Sequence, residues 1–274
     1  MTNPLDFYLT DVYPQLPALM REQMQARYPD IRLRAETGFA PLADYPVCMV
    51  VGLTGTGKST TLSRLAARRE SGQVAYRDDI PTRREVADWI VIPVVQVLNG
   101  EPVAPLKGRE ARFAATRRFA QEGPGGLAAA FSWLYYRGDS SIPLVSEGVR
   151  GPDEIRYVLE HFPHWRVFEL WVPPLVRLQR LSGRADSFDQ LANPNAAVDV
   201  SFLPRDVQAE ALRLWQRGVI SQAALVTLHA EAQNYGHQPF DHTNTTARYR
   251  FLNIEQVPPE DAATELVRFI HEIG

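Results

Sequence analysis

The chain has 274 residues, 45% of them hydrophobic and 22% charged, enough apolar material for a sizeable folded core. A formal net charge of −3 and a pI of about 6.1 exclude a global basic field of the kind that binds nucleic acid or an anionic membrane. One cysteine, Cys48, excludes an intrachain disulfide, and the six histidines show no metal-ligand spacing.

In chain order, MTNPLDFYLTDVYP carries acids and neither a basic nor an apolar stretch of the signal-peptide type. No run approaches the roughly 20 apolar residues of a membrane span, so a cytoplasmic protein with no membrane partner is expected. Residues 1–45 read as an N-terminal helical extension, with the amphipathic patch LPALMREQMQARY and a connector ending APLADYP. VCMVV (47–51) is a continuous apolar run, as a parallel strand covered on both faces should be. STTLSRLAARR (59–69) has helical periodicity, and QVAYR (73–77) reads as a second, short strand. From Pro81 to about Tyr136 several helices are expected: TRREVADWIVIPVVQVL, GREARFAATRRFAQE and GGLAAAFSWLYYR. The last would hold Trp133, Tyr135 and Tyr136 on one helix, as core residues.

IPLVSEG (142–148) is strand-like, and PDEIRYVLEHF opens as a helix with proline in its first turn and acids beside it. RVFELWV (166–172) is another strand, and PPLVRLQRLSGR (173–184) an arginine-rich helix. Residues 204–235 read as two helices, RYRFLNIEQ (248–256) as the last strand and PEDAATELVRFIHEI as the closing helix. Strands alternating with helices predict an α/β fold, a three-layer sandwich around a mostly parallel sheet of about five strands. The unit would span 46–274, with a helical insertion over about 81–140.

The sharpest signal is VCMVVGLTGTGKSTT (47–61). It carries Gly52-Leu53-Thr54-Gly55-Thr56-Gly57-Lys58-Ser59, a full G-x-x-x-x-G-K-S pattern, between an apolar strand and a helix. Lys58 is one of only two lysines, with Lys107. The glycines let main-chain N–H groups turn inward with no Cβ in the way. Those groups and the following helix N-terminus make an anion site. Lys58 is a point charge for β- and γ-phosphates, and the Ser59 hydroxyl suits Mg²⁺. The pattern predicts nucleotide binding. With lysines only at 58 and 107 there is no N-K-x-D guanine motif, which favours ATP over GTP.

VVGLTGTGKSTTLSRLA resembles the opening of the small-molecule P-loop kinases, the nucleoside monophosphate kinases and dephospho-CoA kinase. LVSEGVRGPDEIRYVLEHFPHWRVFELWVPPLVRLQRLSGRADSFD is similar to the second half of the adenylate kinase-like and dephospho-CoA kinase-like group, and YRFLNIEQVPPEDAATELVRFI to their final strand and helix. Residues 81–140 and 190–245 match no such pattern.

The resemblance implies a kinase using ATP and Mg²⁺ to phosphorylate a small phosphorylated metabolite or nucleotide. It implies that Gly52, Thr54, Gly55, Thr56, Gly57, Lys58, Ser59 and Thr60 bind nucleotide. Ser59 would hold Mg²⁺, with Glu147 acting through water where the family more often has Asp. Asp78 or Asp79 would stand near the acceptor or metal, although helix capping before Pro81 explains at least one of them. Arg150 would grip an acceptor phosphate. Arg177, Arg180 and Arg184, three and four residues apart on one helix face, would form a lid over about 173–204. The acceptor would enter between the glycine loop and the 81–140 lobe. The departures from the pattern leave a second reading open: an ATP-dependent switch or NTPase acting on a macromolecular partner. The acidic pI speaks against a nucleic-acid partner, and the sequence leaves the oligomeric state open.

Overall fold

The two-residue period of VCMVV and WRVFELW decides which side chain enters which layer. Val47, Met49 and Val51 turn to one face of the sheet together with Val167, and Cys48 and Val50 turn to the other with Phe168 and Leu170. Both faces are apolar, so both must be covered, and helices cover them.

The computed structural model describes residues 4–183, 199–240 and 246–272. A short helix α1 (Pro4–Phe7) leads through tight helical turns to α2 (Ala18–Arg27), the two-residue strands β1 (Ile31–Arg32) and β2 (Ala40–Pro41), and β3 (Val47–Val51). Next come α3 (Lys58–Glu70), α4 (Arg83–Val86), a π turn over Ala87–Val91, α5 (Ile92–Leu98), α6 (Arg109–Glu122) and α7 (Gly126–Ser132). Then come β4 (Tyr135–Tyr136), β5 (Leu144–Ser146), α8 (Gly151–His161), β6 (Trp165–Trp171) and α9 (Pro174–Ser182). The remaining elements are α10 (Arg205–Gln216), α11 (Gln222–Tyr235), β7 (Tyr249–Asn253) and α12 (Pro259–His271).

The main sheet is parallel, with strand order β5-β3-β6-β7. Leu65 of α3 and Ala262, Leu266 and Phe269 of α12 cover one face. On the other face Ile155 and Val158 of α8 join Trp89, Ile90 and Phe131, and Tyr8 and Val12 of the N-terminal segment belong to the same buried cluster. The N-terminal segment is tied to the helical region by Tyr8 Oη donating to the Trp89 carbonyl at 3.3 Å and Tyr28 Oη donating to Glu85 at 2.7 Å. A third, smaller core joins Leu178 and Leu181 of α9 to Ala211 and Leu214 of α10 and Leu225 and Leu228 of α11.

Two local expectations change. Among the described residues the sheet has four strands rather than about five, because QVAYR contributes one parallel bridge, Arg77 to Leu144, and no ladder. Val74 and Tyr76 alternate inward as strand residues do, but Pro81 and the paired Asp78 and Asp79 leave little chain able to continue the pairing. The helix over GGLAAAFSWLYYR stops at Ser132. Trp133 lies beyond it, and Tyr135 and Tyr136 pair with β1 and β2 in a small antiparallel sheet. Trp133 and Tyr136 are nevertheless buried. The long helix over 82–98 starts with a capping box, Thr82 accepting from the Glu85 N–H while the Glu85 side chain accepts from the Thr82 N–H. It widens to a π turn just ahead of Pro93, which has no N–H to donate to the ladder.

No helix among the described residues is long and apolar enough to cross a membrane.

Candidate nucleotide-phosphate site

β3 ends at Val51, and the chain folds back over Gly52–Gly57 into α3. Gly52 is required by space as well as by backbone angle, and Gly57 by backbone angle. At Gly52 φ is 154°, and a Cβ there would lie 2.7 Å from the Leu170 carbonyl oxygen. At Gly57 φ is 84°, and a Cβ would lie 2.8 Å from Ile254 Cδ1. The loop is braced from within, Thr56 Oγ1 donating to the Leu53 carbonyl at 2.8 Å.

Lys58, the first residue of α3, is buried, and its Nζ reaches back across the loop to donate to the Gly52 carbonyl at 2.6 Å. Burial pushes its pKa down to about 7, and the nearby Arg150 pushes the same way, against the pull of Glu147 and Glu231. A buried ammonium with one carbonyl partner and a cationic neighbour gains much from a polyanion. Ser59 and Thr60 come next, on the exposed side of the first turn of α3, where N–H groups lack intrahelical partners.

Arg177 of α9 is buried against the loop. Its Nε donates to the Thr54 carbonyl at 2.9 Å and its Nη2 to Glu231. Arg180, one turn further, stands beside Gly57 and donates to the Ile254 carbonyl at 3.1 Å. Arg150 lies beyond β5 and the half-buried Glu147; its Nη1 lies 3.6 Å from Glu231 Oε1. The structure therefore brings Lys58, Arg150, Arg177, Arg180 and Glu147 to one end of the sheet. It ties Asp78 to Arg69 at 2.6 Å, and Asp79 to Arg77 and to Tyr136 Oη at 3.0 Å. Any part for either acid in chemistry requires those contacts to open. Arg184 and residues 184–198 of the expected 173–204 lid lie outside the described residues.

Beside the loop, a cleft of about 670 Å³ runs between α6, α7, α8 and the C-terminal end of α11. Four arginines line it: Arg83, Arg117, Arg150 and Arg156. Arg83 is locked bidentately onto Glu154 at 2.5 and 2.9 Å, and Arg156 pairs with Asp153 at 2.9 Å. Arg150 Nε and Asn234 Oδ1, both in the lining, are buried without a hydrogen-bond partner. Gly151 and Tyr235 line this cleft and also a small crevice bounded by Gly52, Thr56 and Arg177, so the two spaces adjoin.

For Mg²⁺, the residues present are hard oxygen donors: the Ser59 hydroxyl at the mouth of the loop and the Glu147 carboxylate near Lys58. No group of three or more His, Cys, Asp or Glu among the described residues could hold a metal unaided. That fits Mg²⁺, which takes few protein ligands and completes its shell with phosphate and water.

Two buried acids here carry no motif. Glu231, on α11, is fully buried. Burial pushes its pKa up, but Arg177, Arg150 and the Thr54 donors outweigh this and hold it below the usual carboxylate range. Glu169, on β6 opposite Val51, accepts from Tyr249 Oη at 2.6 Å and the Phe240 N–H at 3.1 Å, and burial pushes its pKa up to about 7. The available signal was weak for each: one acid inside an apolar strand, one acid on the apolar stripe of a helix.

No family model matches the chain, and no curated protein matches it. Among solved structures, an unliganded sugar kinase from Janibacter sp. HTCC2649 is similar at 16% identity and a TM-score of 0.37, over 83% of this chain and 95% of that one. A likeness at that level shows nothing of function.

Proposed function

We propose that residues 52–60 bind the phosphates of Mg·ATP and that the protein transfers the γ-phosphoryl group to a small phosphorylated metabolite or nucleotide held in the adjoining cleft. The observation that carries this reading is Lys58: a buried ammonium folded onto Gly52 within a loop whose glycines a side chain would fill. The N–H groups of Gly55, Thr56 and Gly57 and the N-terminus of α3 line the phosphates, with Thr60 beside the α-phosphate. Lys58 exchanges a carbonyl partner for phosphate oxygens. Ser59 would hold Mg²⁺ directly and Glu147 through water; the metal, when bound, offsets phosphate charge. Arg150, Arg177 and Arg180 supply positive charge where the phosphoryl group passes. Phosphoryl transfer needs little else from a protein than positioning and charge stabilisation.

Arg117 and Arg150 in the lining favour an anionic acceptor, while Asp153 and Glu154 of the same lining are already paired with Arg156 and Arg83. The test is ADP release from Mg·ATP by the purified protein, with pools of nucleotides, phosphorylated sugars or coenzyme A precursors. Release that rises with one pool is expected. Release indifferent to every pool would contradict transfer to a small molecule and support an NTPase switch acting on a macromolecular partner.

A further inference from the structure

Helix α11 brings an acid to the glycine loop for which the loop's own pattern gives no reason. Its buried positions are Ala224, Leu225, Thr227, Leu228 and Glu231. They recur three and four residues apart, so a carboxylate occupies a place where the helical period calls for an apolar side chain. A buried charge is costly unless it is met by opposite charge and hydrogen bonds. Glu231 is met on every side. The Thr54 N–H lies 3.3 and 3.2 Å from its two oxygens, and the Thr54 hydroxyl donates to Oε1. Arg177 donates to Oε2, and Arg150 approaches Oε1 at 3.6 Å. Arg177 also donates to the Thr54 carbonyl, so all three polar groups of Thr54 are held. One carboxylate thus joins the glycine loop, α9, α11 and the turn after β5.

We propose that Glu231 is a positioning residue for the phosphate site: it fixes the loop at Thr54 and aims Arg150 and Arg177 along it, as a resident anion in the cationic cluster that a phosphate must enter. This inference rests on the nucleotide-phosphate reading of residues 52–60. It has two consequences of opposite sign. Lys58, Arg150 and Arg177 all feel the Glu231 charge. Neutralising it leaves the positive charge of Arg150 and Arg177 for the polyphosphate, so nucleotide binds more tightly. The same change frees both guanidinium groups from their fixed directions, so transfer slows. A merely structural role would weaken binding and turnover together.

The experiment uses full-length wild type, Glu231→Gln and Glu231→Asp, each checked for fold by circular dichroism. Calorimetry gives the affinity for Mg²⁺ with a non-hydrolysable ATP analogue, and ADP release from Mg·ATP gives turnover. The Gln variant is expected to bind at least about threefold more tightly and to turn over at least about tenfold more slowly. The Asp variant keeps the charge but shortens its reach, so its affinity stays within about twofold of wild type while turnover falls. A folded Gln variant that binds no more tightly than wild type overturns the proposal. If the Gln variant does not fold, an Asp variant with wild-type turnover overturns it. Wild type that binds no nucleotide removes the underlying reading of residues 52–60, whereas wild type that binds normally with both variants unaltered removes only the role of Glu231.

Discussion

Two stretches of chain meet at Thr54, and they are specified in different ways. The β3–loop–α3 segment is local: apolar strand, glycines, lysine and helix succeed one another within 24 residues, from Val47 to Glu70. The wall facing it is assembled from afar. Arg177 is 123 residues from Thr54, and Glu231 is 177 residues from it. The local half works through backbone angle and space, which residue type alone dictates. The distant half works through buried charge, which depends on what the fold places opposite each group. In the proposed reading the first half makes the anion site, and the second sets the electrostatic field around it.

Removing one member of the distant half should give the largest loss of stability. Arg177→Ala leaves Glu231 buried with only Arg150 and Thr54 as partners, and a cost of about 3–5 kcal/mol in unfolding free energy is expected from urea titration. Arg180 is only half-buried and its visible tie is to a backbone carbonyl, so Arg180→Ala should cost under about 1 kcal/mol. Equal losses for the two would break the distinction between a buried charge network and a rim contact.

An intermediate effect is expected at Glu169. Its folded pKa of about 7 stands above the usual 4.5. Between those values the folded protein keeps a proton that the unfolded chain has released, so stability falls as pH rises through that window and then levels off. Glu169→Gln removes this cost while leaving an acceptor for Tyr249 and the Phe240 N–H. The variant should gain up to about 3 kcal/mol over wild type at pH 8 and nothing near pH 4, read as a difference in melting temperature across pH. A gain that is the same at both pH values would show that burial of the charge is not the cause.

The alternation of VCMVV and RVFELWV carried the layered α/β fold, because period two with apolar residues on both faces leaves a parallel sheet few other arrangements. QVAYR alternates just as well and yet forms only a bridge, since pairing depends on whether a neighbour's ladder continues past Arg77. Tyr135 and Tyr136 read as the end of a helix because the residues before them are good helix formers; β1 and β2, two residues each, are too short to announce the partner that captures them. In the candidate site, Gly52 through Thr60 were legible from residue type and spacing. The arginines of α9 were legible as a helix face, but not the inward turn of Arg177 onto Glu231. Nothing local marks Glu231: its neighbours Leu228 and Ala224 describe an ordinary buried stripe, and its meaning comes from a loop far away in the chain.

The most direct measurement is a calorimetric titration of Mg·ATP into wild type and Lys58→Ala at neutral pH, with circular dichroism on both. Lys58 is buried with a single carbonyl partner at the mouth of the proposed site, so the variant should keep its fold and lose about 2–3 kcal/mol of binding, roughly 100-fold in affinity. Equal affinities in two folded proteins, or no binding by wild type, would contradict a phosphate site at residues 52–60.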